Sequence, residues 1–148
     1  MDMDVDIRPL GLGDEQAVHA AGSLFDKAPD PDATRRFLAE PTHHLLFAFD
    51  ADGRALGYVS GIETTHPDKG TEMFLYELAV DEPVRRRGVG RALVDALVAL
   101  ARDRRCYGMW VLADDDNEAA LATYRSAGGK VASRPVMLEW DTRGAGPR

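Results

Sequence analysis

A buried strand that leads through a basic glycine loop into a helix is the segment that most constrains the fold of this chain. Residues 73–80 are apolar except for Glu77, a pattern typical of a strand covered on both faces. The loop sequence DEPVRRRGVG follows, and from Arg91 the apolar residues recur at helical spacing as far as Arg104 or Arg105. A strand, a loop and a helix in this order predict a mixed α/β fold.

The loop in this segment has the chemistry of a phosphate site. Its glycines let the backbone approach a ligand closely, and the first turn of the helix leaves N–H groups unpaired. The neighbouring arginines add charged, fork-shaped donors. The loop is not a Walker motif, since no Gly-Lys-Ser/Thr follows, and Ala92 and Leu93 stand where a dinucleotide fingerprint would have its third glycine. The alternative is a solvated basic turn that only starts a helix.

The remaining segments predict hairpins in the first half of the chain and alternating strands and helices in the second half. Residues 50–53 end in an Asp-Gly pair, which is typical of a hairpin turn. Strands are predicted over residues 5–10, 44–49, 55–62, 108–113 and 131–140, the last as one strand or a strand pair. Helices are predicted over residues 14–24, 34–39 and 117–126, and a polar loop over residues 63–71. This order implies a mixed sheet rather than a doubly wound one.

The amino-acid composition limits which classes of protein and which partners fit this chain. The chain has 148 residues, 45% hydrophobic and 29% charged, as expected for one domain over residues 1–148 with an ordered core of about 5–140. The formal net charge of −7 argues against nucleic-acid binding and favours a cationic partner. No apolar stretch is long enough to span a bilayer, and the acidic start carries no secretory signal, so we expect a cytoplasmic protein.

The cysteine and histidine residues argue against a metal centre or a thiol nucleophile. Cys106 is the single cysteine, which excludes an internal disulfide and a cysteine-cluster metal site. Its position before an apolar run predicts an inert, half-buried thiol. No pair of the four histidines has helical metal-ligand spacing, so we expect no metal.

Two motifs make the chain resemble the GNAT superfamily of acetyl-CoA-dependent N-acetyltransferases. The first is Arg/Gln-x-x-Gly-x-Gly/Ala between a strand and a helix, and the second is Asn-x-x-Ala-x-x-x-Tyr-x-x-x-Gly. The matching residues are Arg85, Gly88 and Gly90 in the first motif and Asn117, Ala120, Tyr124 and Gly128 in the second. The resemblance covers about residues 5–140. It implies an α+β, mixed α/β fold, with a twisted, mostly antiparallel sheet of six to seven strands flanked by about four helices.

The resemblance also implies where acetyl-CoA binds. The pyrophosphate of coenzyme A would lie on the N–H groups of the glycine loop, and its pantetheine would pair with the backbone of the preceding strand. The implied cofactor-binding residues are Leu78, Ala79, Val80, Arg85, Arg86, Arg87, Gly88, Val89, Gly90, Arg91, Asn117 and Ala120. One departure is Gly129, where the family usually has Phe or another apolar residue.

Two side chains are the candidate catalytic residues. Tyr124 resembles the family's general acid, and a phenol with a pKa near ~10 suits protonation of a thiolate with a pKa near ~8.5. The alternative for Tyr124 is a core aromatic on an amphipathic helix. Glu77 is the one acid in an apolar strand, where a carboxylate is costly without a partner. It is a candidate general base, an anchor for a substrate ammonium, or a member of a structural ion pair.

An acidic run before the last helix points to a polycationic acceptor. Residues 113–118 read ADDDNE, which is more acid than helix capping needs. In the GNAT superfamily this loop borders the acceptor pocket. The candidate substrate-binding acids are Glu77, Asp114, Asp115, Asp116 and Glu118, with Asp30, Asp32 and Glu139 as further walls.

Two longer sequence segments make the resemblance more specific. MFLYELAVDEPVRRRGVG and VLADDDNEAALATY are similar to stretches of the type I aminoglycoside 3-N-acetyltransferases, with Glu77 where that group has Asp. The resemblance implies acetyl transfer from acetyl-CoA to an aminoglycoside, at the 3-amine, by direct attack on the thioester. The alternatives are acetylation of another small polyamine or peptide amine, and a non-catalytic acyl-CoA-binding sensor. A homodimer is left open.

Overall fold

One five-stranded sheet organises the computed structural model, which describes residues 2–144. The strands lie side by side in chain order, with antiparallel pairing from β1 to β4 and parallel pairing between β4 and β5. They are β1 (Asp6–Leu10), β2 (His43–Phe49), β3 (Ala55–His66), β4 (Gly70–Val80) and β5 (Met109–Trp110). This arrangement confirms the predicted mixed, mostly antiparallel sheet.

Helices cover both faces of the sheet and divide the core in two. They are α1 (Glu15–Ala20), α2 (Pro31–Ala39), α3 (Val89–Asp103) and α4 (Glu118–Ser126), with short 3-10 turns at Gly22–Leu24 and Glu82–Val84. The first core lies under α3, where Leu93 and Leu97 are fully buried against the sheet. The second core lies under α1 and α2 and is rich in aromatic side chains such as Phe47 and Tyr58. No helix in residues 2–144 is long and apolar enough to cross a membrane.

The predicted polar loop over residues 63–71 is too long, because β3 runs to His66 and β4 begins at Gly70, which leaves only a turn at residues 67–69. Polar side chains in this hairpin find partners across the strands. The Glu63 side chain is 7% exposed and accepts from Arg104 Nε at 2.9 Å, while its Oε2 lies 2.6 Å from His44 Nε2. Thr65 and Thr71 form a hydroxyl pair at 2.9 Å. Since the partners of Glu63 are 19 and 41 residues away in sequence, local polarity alone suggested a loop.

The C-terminal prediction is also wrong within the described residues. Residues 131–140 form no strand there, and β5 has two residues rather than the predicted six. The sheet therefore has five strands in residues 2–144 instead of six to seven. The apolar residues that suggested a last strand are present, but they are exposed to solvent and pair with no strand of this copy of the chain.

A β-bulge in β4 decides which way Glu77 points. Glu77 pairs with Ser60, but the next pair toward the start of β4 is Leu75 with Gly61, so Tyr76 is an extra, unpaired residue. The Glu77 N–H donates to the Ser60 hydroxyl at 3.1 Å beside the bulge. The extra residue reverses the alternation of the strand. As a result, Leu75 and Leu78 both pack into the core under α3, and Glu77 faces the opposite side.

Candidate active site

The glycine loop ends in a turn of unpaired N–H groups. Arg86 and Gly88 have positive φ values of 63° and 83°, and Gly88 is the N-cap of α3. Within residues 2–144 the six amides of residues 86–91 donate to no acceptor. Arg85 closes the loop by donating from Nε to the Val80 carbonyl at 3.2 Å. A row of free amides at a helix N-terminus is an anion site, so these residues fit the pyrophosphate of coenzyme A.

Gly90 lets three elements of the site approach one another. A Cβ at this position would lie 3.2 Å from Thr123 Cγ2 on α4 and 3.6 Å from Val80 Cγ2 on β4. The start of α3, the end of β4 and the middle of α4 therefore meet around this glycine. This close approach brings α4, the helix that carries Tyr124, against the loop and the strand that are candidates for cofactor binding.

Strands β4 and β5 separate after two residue pairs. They pair at Met73 with Met109 and at Phe74 with Trp110, whose ring is stacked on Phe74 at 4.2 Å between centroids. Beyond this stack, residues 75–80 of β4 have no strand partner on the β5 side in the described residues. The free edge includes the predicted cofactor-binding residues Leu78, Ala79 and Val80, and its backbone groups can pair with the amides of an extended ligand.

Glu77 lies in a small polar cluster on the α1 and α2 side of the sheet. Burial is the largest cause that raises the pKa of the Glu77 carboxyl, and the charge of Asp26 raises it further. A hydrogen bond from Tyr58 lowers it. Burial, together with the charges of Glu77 and Asp26, raises the pKa of Tyr58. No Lys, Arg or His nitrogen of residues 2–144 lies within 4 Å of the Glu77 carboxylate in an ion pair. Glu77 therefore forms no structural ion pair in the described residues. Its remaining candidate roles are general base and anchor for a substrate ammonium.

Tyr124 lies on the other side of the sheet. It packs on the core under α3, the core that Leu78 and Val80 also contact, and burial raises the pKa of its phenol. A Schellman motif fixes the end of its helix: Gly129 N donates to the Tyr124 carbonyl at 2.9 Å, and Gly128, with a φ of 96°, donates to the Arg125 carbonyl. A Cβ at residue 129 would lie 2.9 Å from the Tyr124 carbonyl oxygen, which explains glycine where the family usually has an apolar residue.

The two candidate catalytic side chains therefore lie on opposite faces of the sheet. Glu77 comes from the face of the second core, and Tyr124 comes from the face of α3 and α4. Together they supply a carboxylate on one face and a phenol on the other. This arrangement suits the transfer of a proton away from an attacking group and the donation of another proton to a leaving group.

The predicted substrate-binding acids are spread over three places. Asp114, Asp115, Asp116 and Glu118 are exposed at the start of α4, where Asn117 caps the helix by accepting from Ala120 N at 3.1 Å. Asp30 is the N-cap of α2 and accepts from Ala33 N at 2.7 Å, and Asp32 pairs with Arg35. Glu139 lies on the exposed segment 131–140. Among these acids, only Glu77 is half-buried on β4. The Asp30 carboxylate is already hydrogen-bonded as the N-cap of α2.

Tyr58 and Asp26 are the site residues that sequence reasoning missed. Tyr58 is buried on β3 and stacks on Phe25 at 4.3 Å between centroids, which holds the loop of Asp26 against the sheet. Both residues are far from Glu77 in sequence. The available signal was a tyrosine on the strand predicted to pair with that of Glu77, where a hydroxyl is needed beside a buried carboxylate.

The sequence predicted no metal site and an inert thiol at Cys106, and the structure describes the surroundings of both. Within residues 2–144 no three His, Cys, Asp or Glu side chains are grouped as metal ligands. Cys106 is half-buried, and burial raises the pKa of its thiol, as does the charge of Glu63. A raised pKa keeps the sulfur protonated and poorly nucleophilic.

Comparison with known proteins identifies a family over most of the chain. The sequence profile of the Acetyltransferase (GNAT) family matches residues 15–128. The N-alpha-acetyltransferase RimI of Mycobacterium tuberculosis is 31% identical over 134 residues, which cover 85% of this chain and 82% of that protein. A mycothiol acetyltransferase of Salinispora tropica is 37% identical over 124 residues, which cover 78% of this chain but 38% of that protein.

Solved structures share the fold. An aminoglycoside acetyltransferase from an uncultured soil metagenomic sample, in complex with sisomicin, superposes with a TM-score of 0.85 at 19% identity and covers 94% of this chain and 97% of that one. The aminoglycoside acetyltransferase AAC(6')-Iy, with a bisubstrate analogue, has a TM-score of 0.80 at 19% identity, covering 93% and 99%. At these identities the likeness establishes the fold, and it confirms the predicted fold class.

Proposed function

The chain belongs to the Acetyltransferase (GNAT) family, and from this premise we propose that it transfers the acetyl group of acetyl-CoA to a primary amine held beside Glu77. The observations that support the proposal are the free edge of β4 over residues 75–80, which includes Glu77, and the row of free amides at the start of α3. Tyr124 packs on the same core as Leu78 and Val80 of this edge. A non-catalytic sensor would need the amides but neither side chain.

The proposed reaction is direct attack of the amine nitrogen on the thioester carbonyl carbon. Glu77 takes one proton from the substrate ammonium, which frees the amine for attack. The new C–N bond then forms as the C–S bond breaks, Tyr124 gives its proton to the departing sulfur, and the second proton that the nitrogen loses returns to the Tyr124 phenolate through water. The raised pKa of Glu77 brings this carboxylate closer in basicity to the ammonium it must deprotonate. The raised pKa of Tyr124 keeps the phenol protonated at neutral pH.

The free amides and the arginines of the glycine loop are proposed to bind the pyrophosphate. Arg86→Gln with Arg87→Gln should weaken acetyl-CoA binding about tenfold, because each charge-assisted contact to phosphate contributes ~1.5–3 kcal/mol when well formed and less when exposed. Calorimetry measures the change. Arg102→Gln with Arg105→Gln removes the same charge from the other end of α3 and should leave the affinity unchanged. Equal loss in both double variants would contradict the assignment.

For the acceptor we propose an aminoglycoside, acetylated at the 3-amine. Supporting this choice are the exposed carboxylates Asp114, Asp115, Asp116 and Glu118, the net charge of −7, and Asp26 beside Glu77. A molecule that carries several ammonium groups is attracted to such a surface and can pair with it. The regiochemistry rests on the resemblance of residues 73–90 and 111–124 to the type I aminoglycoside 3-N-acetyltransferases.

Neutralising the acidic run tests this acceptor. Asp115→Asn, Asp116→Asn and Glu118→Gln together should raise KM for an aminoglycoside about tenfold, since three exposed ion pairs contribute ~0.2–1 kcal/mol each. KM for acetyl-CoA should change little. Salt screens exposed pairs, so the wild-type KM for the aminoglycoside should rise between low and physiological ionic strength. Steady-state kinetics in two salt concentrations measure both effects, and an aminoglycoside KM that responds to neither would contradict this role.

A second acceptor class has its own support. The relative that is aligned over 85% of this chain is an N-alpha-acetyltransferase, which favours the α-amine of a peptide. A thioester-consumption assay with gentamicin, a peptide with a free N-terminal alanine and spermidine separates the candidates, and NMR of the product locates the acetyl group. Acetylation of the peptide but not of gentamicin overturns the aminoglycoside proposal. Binding of acetyl-CoA without turnover of any amine would indicate a sensor.

A further inference from the structure

Three aromatic side chains, Phe74, Tyr76 and Trp110, lie together at the β4–β5 end of the sheet and are here called the aromatic face. The Trp110 ring is stacked on Phe74 with 4.2 Å between centroids. The rings of Phe74 and Tyr76 lie 5.6 Å apart in a T-shaped arrangement, with 70° between their planes. Tyr76 is 60% exposed and Trp110 is 40% exposed. A cluster of large aromatic side chains that is open to solvent marks a binding surface.

The aromatic face lies on the same side of the sheet as Glu77. Both neighbours of Phe74 in β4 pack into the core under α3, so Phe74 points to the opposite side. Trp110 is stacked on Phe74 and lies on that side as well. The bulge at Tyr76 turns Glu77 to the same side. Because a strand rises about 3.3 Å per residue, the backbones of Phe74 and Glu77 are at most ~10 Å apart. The aromatic face and the Glu77 carboxyl therefore border one region of the surface.

Helices α1 and α2 leave this region of the sheet open. The core beneath them is built on β2 and β3, and Ala79 is its one residue from β4 within residues 2–144. No member of the aromatic face belongs to either core in the described part of the chain. The loop between the two helices reaches the sheet at Phe25, and the next residue, Asp26, brings a second carboxylate close to Glu77. The open region therefore has carboxylates at one end and aromatic rings along its length.

Carboxylates beside aromatic rings suit an ammonium group that is carried on a saturated ring. The carboxylates attract the ammonium, and the C–H face of a saturated ring loses water-exposed apolar surface when it lies on a flat aromatic side chain. A further ammonium near an aromatic ring is attracted by the negative face of that ring. A linear polyamine has no flat face to present. The backbone of a peptide brings N–H and C=O groups that an aromatic surface leaves unpaired, which is costly.

We propose that the aromatic face determines which amines are accepted: it binds the C–H face of a saturated ring in the acceptor, while the reacting nitrogen on that ring lies beside Glu77. The inference rests on the proposed acetyl transfer to an amine at Glu77, and it adds the scaffold of the acceptor, a saturated ring with amino substituents. Phe74 and Trp110 supply the stacked part of the surface. Tyr76, the residue next to Glu77, contacts the ring at its reacting end.

Two diamines that differ in the ring test this specificity. In 2-deoxystreptamine and in 1,3-diaminopropane the amino groups have the same spacing, but only the first carries them on a ring. Tyr76→Ala should raise KM for 2-deoxystreptamine about tenfold and leave KM for 1,3-diaminopropane unchanged, because only the ring contacts the aromatic face. Tyr76→Phe keeps the aromatic ring and should retain the wild-type KM. Leu12→Ala is the matched control, since Leu12 is similarly exposed but follows β1 at the other edge of the sheet. Equal loss for both diamines in Tyr76→Ala, or the same loss in Tyr76→Phe, would overturn the inference.

Binding without turnover separates failure of this inference from failure of the proposed function. Trp110 and Trp140 are the two tryptophans of the chain, so in a Trp140→Phe background the tryptophan fluorescence reports on the aromatic face. Titration with 2-deoxystreptamine should change this fluorescence, and Tyr76→Ala in the same background should weaken Kd about tenfold. If this weakening is measured but no amine is acetylated, the proposed reaction fails and the ring site is supported. An equal Kd with and without the Tyr76 ring, or binding of 1,3-diaminopropane as tight as that of 2-deoxystreptamine, means that the aromatic face does not select a ring, and the inference fails.

Discussion

Replacing Glu77 by Gln should lower kcat/KM for the amine by about 10²- to 10⁴-fold, the usual contribution of a positioned general base. Glutamine keeps the shape of the side chain and the hydrogen bond to Tyr58 but cannot take a proton. The effect on acetyl-CoA affinity should be small, because the carboxyl lies on the face of the sheet opposite α3 and the glycine loop. Steady-state kinetics with both substrates varied, and calorimetry with acetyl-CoA, measure the two effects.

The partition between kcat and KM separates the two roles that remain open for Glu77. Loss of a base appears in kcat, whereas loss of an ammonium anchor appears as a raised KM with kcat retained. Glu77→Asp is the matched control: it keeps the negative charge but shortens the side chain, so partial activity is expected. A Gln variant with the kcat and KM of the wild type would remove Glu77 from the site.

The pH dependence of kcat/KM is a further test of Glu77 as the general base. A base must be deprotonated to act, and burial together with Asp26 raises the pKa of this carboxyl above that of an ordinary glutamic acid. The acidic limb of kcat/KM should therefore lie above pH 4.5, and the Gln variant should lose that limb. Because the folded-state pKa is raised, the carboxyl contributes less to stability as the pH rises through that window. The Gln variant should accordingly unfold at no lower temperature than the wild type at pH 7.

Local patterns were sufficient for the part of the site that is contiguous in sequence. The glycine loop, the capping of α4 by Asn117 and the position of Tyr124 follow from residue types at fixed spacing, and each is present at the expected junction of elements. Helix α3 begins at Val89, two residues before the predicted start at Arg91. These features depend on hydrogen bonds within a few residues, which a sequence displays directly.

Features that depend on distant partners were not predictable in the same way. The face on which Glu77 lies depends on one extra residue, Tyr76, opposite a serine on β3. The raised pKa of Glu77 depends on Asp26 and burial, and Asp26 is placed by the packing of Phe25 on Tyr58. Residues 131–140 have the pattern of a strand, but the pattern does not show which strand would pair with them.

Replacing Tyr124 by Phe should lower kcat at least ~10-fold, because the phenol is the proposed donor of a proton to the thiolate and a phenyl ring cannot replace it. The fold should be retained. Tyr124 packs on the core under α3, and no hydrogen bond within residues 2–144 contributes to the pKa of its phenol, so removal of the hydroxyl leaves no partner unsatisfied. Acetyl-CoA affinity should change little, since the backbone amides of the loop are untouched.

Tyr107→Phe is the matched control for this change. Tyr107 loses the same hydroxyl, which donates to Glu72 at 3.0 Å, but it precedes β5 at the start of that strand, away from the glycine loop and α4. Its kcat should equal that of the wild type. Rapid mixing of each variant with acetyl-CoA and amine under single-turnover conditions measures the chemical step apart from product release. If Tyr124→Phe forms product as fast as the wild type in that experiment, Tyr124 is a packing residue of α4, and the proton for the thiolate comes from elsewhere.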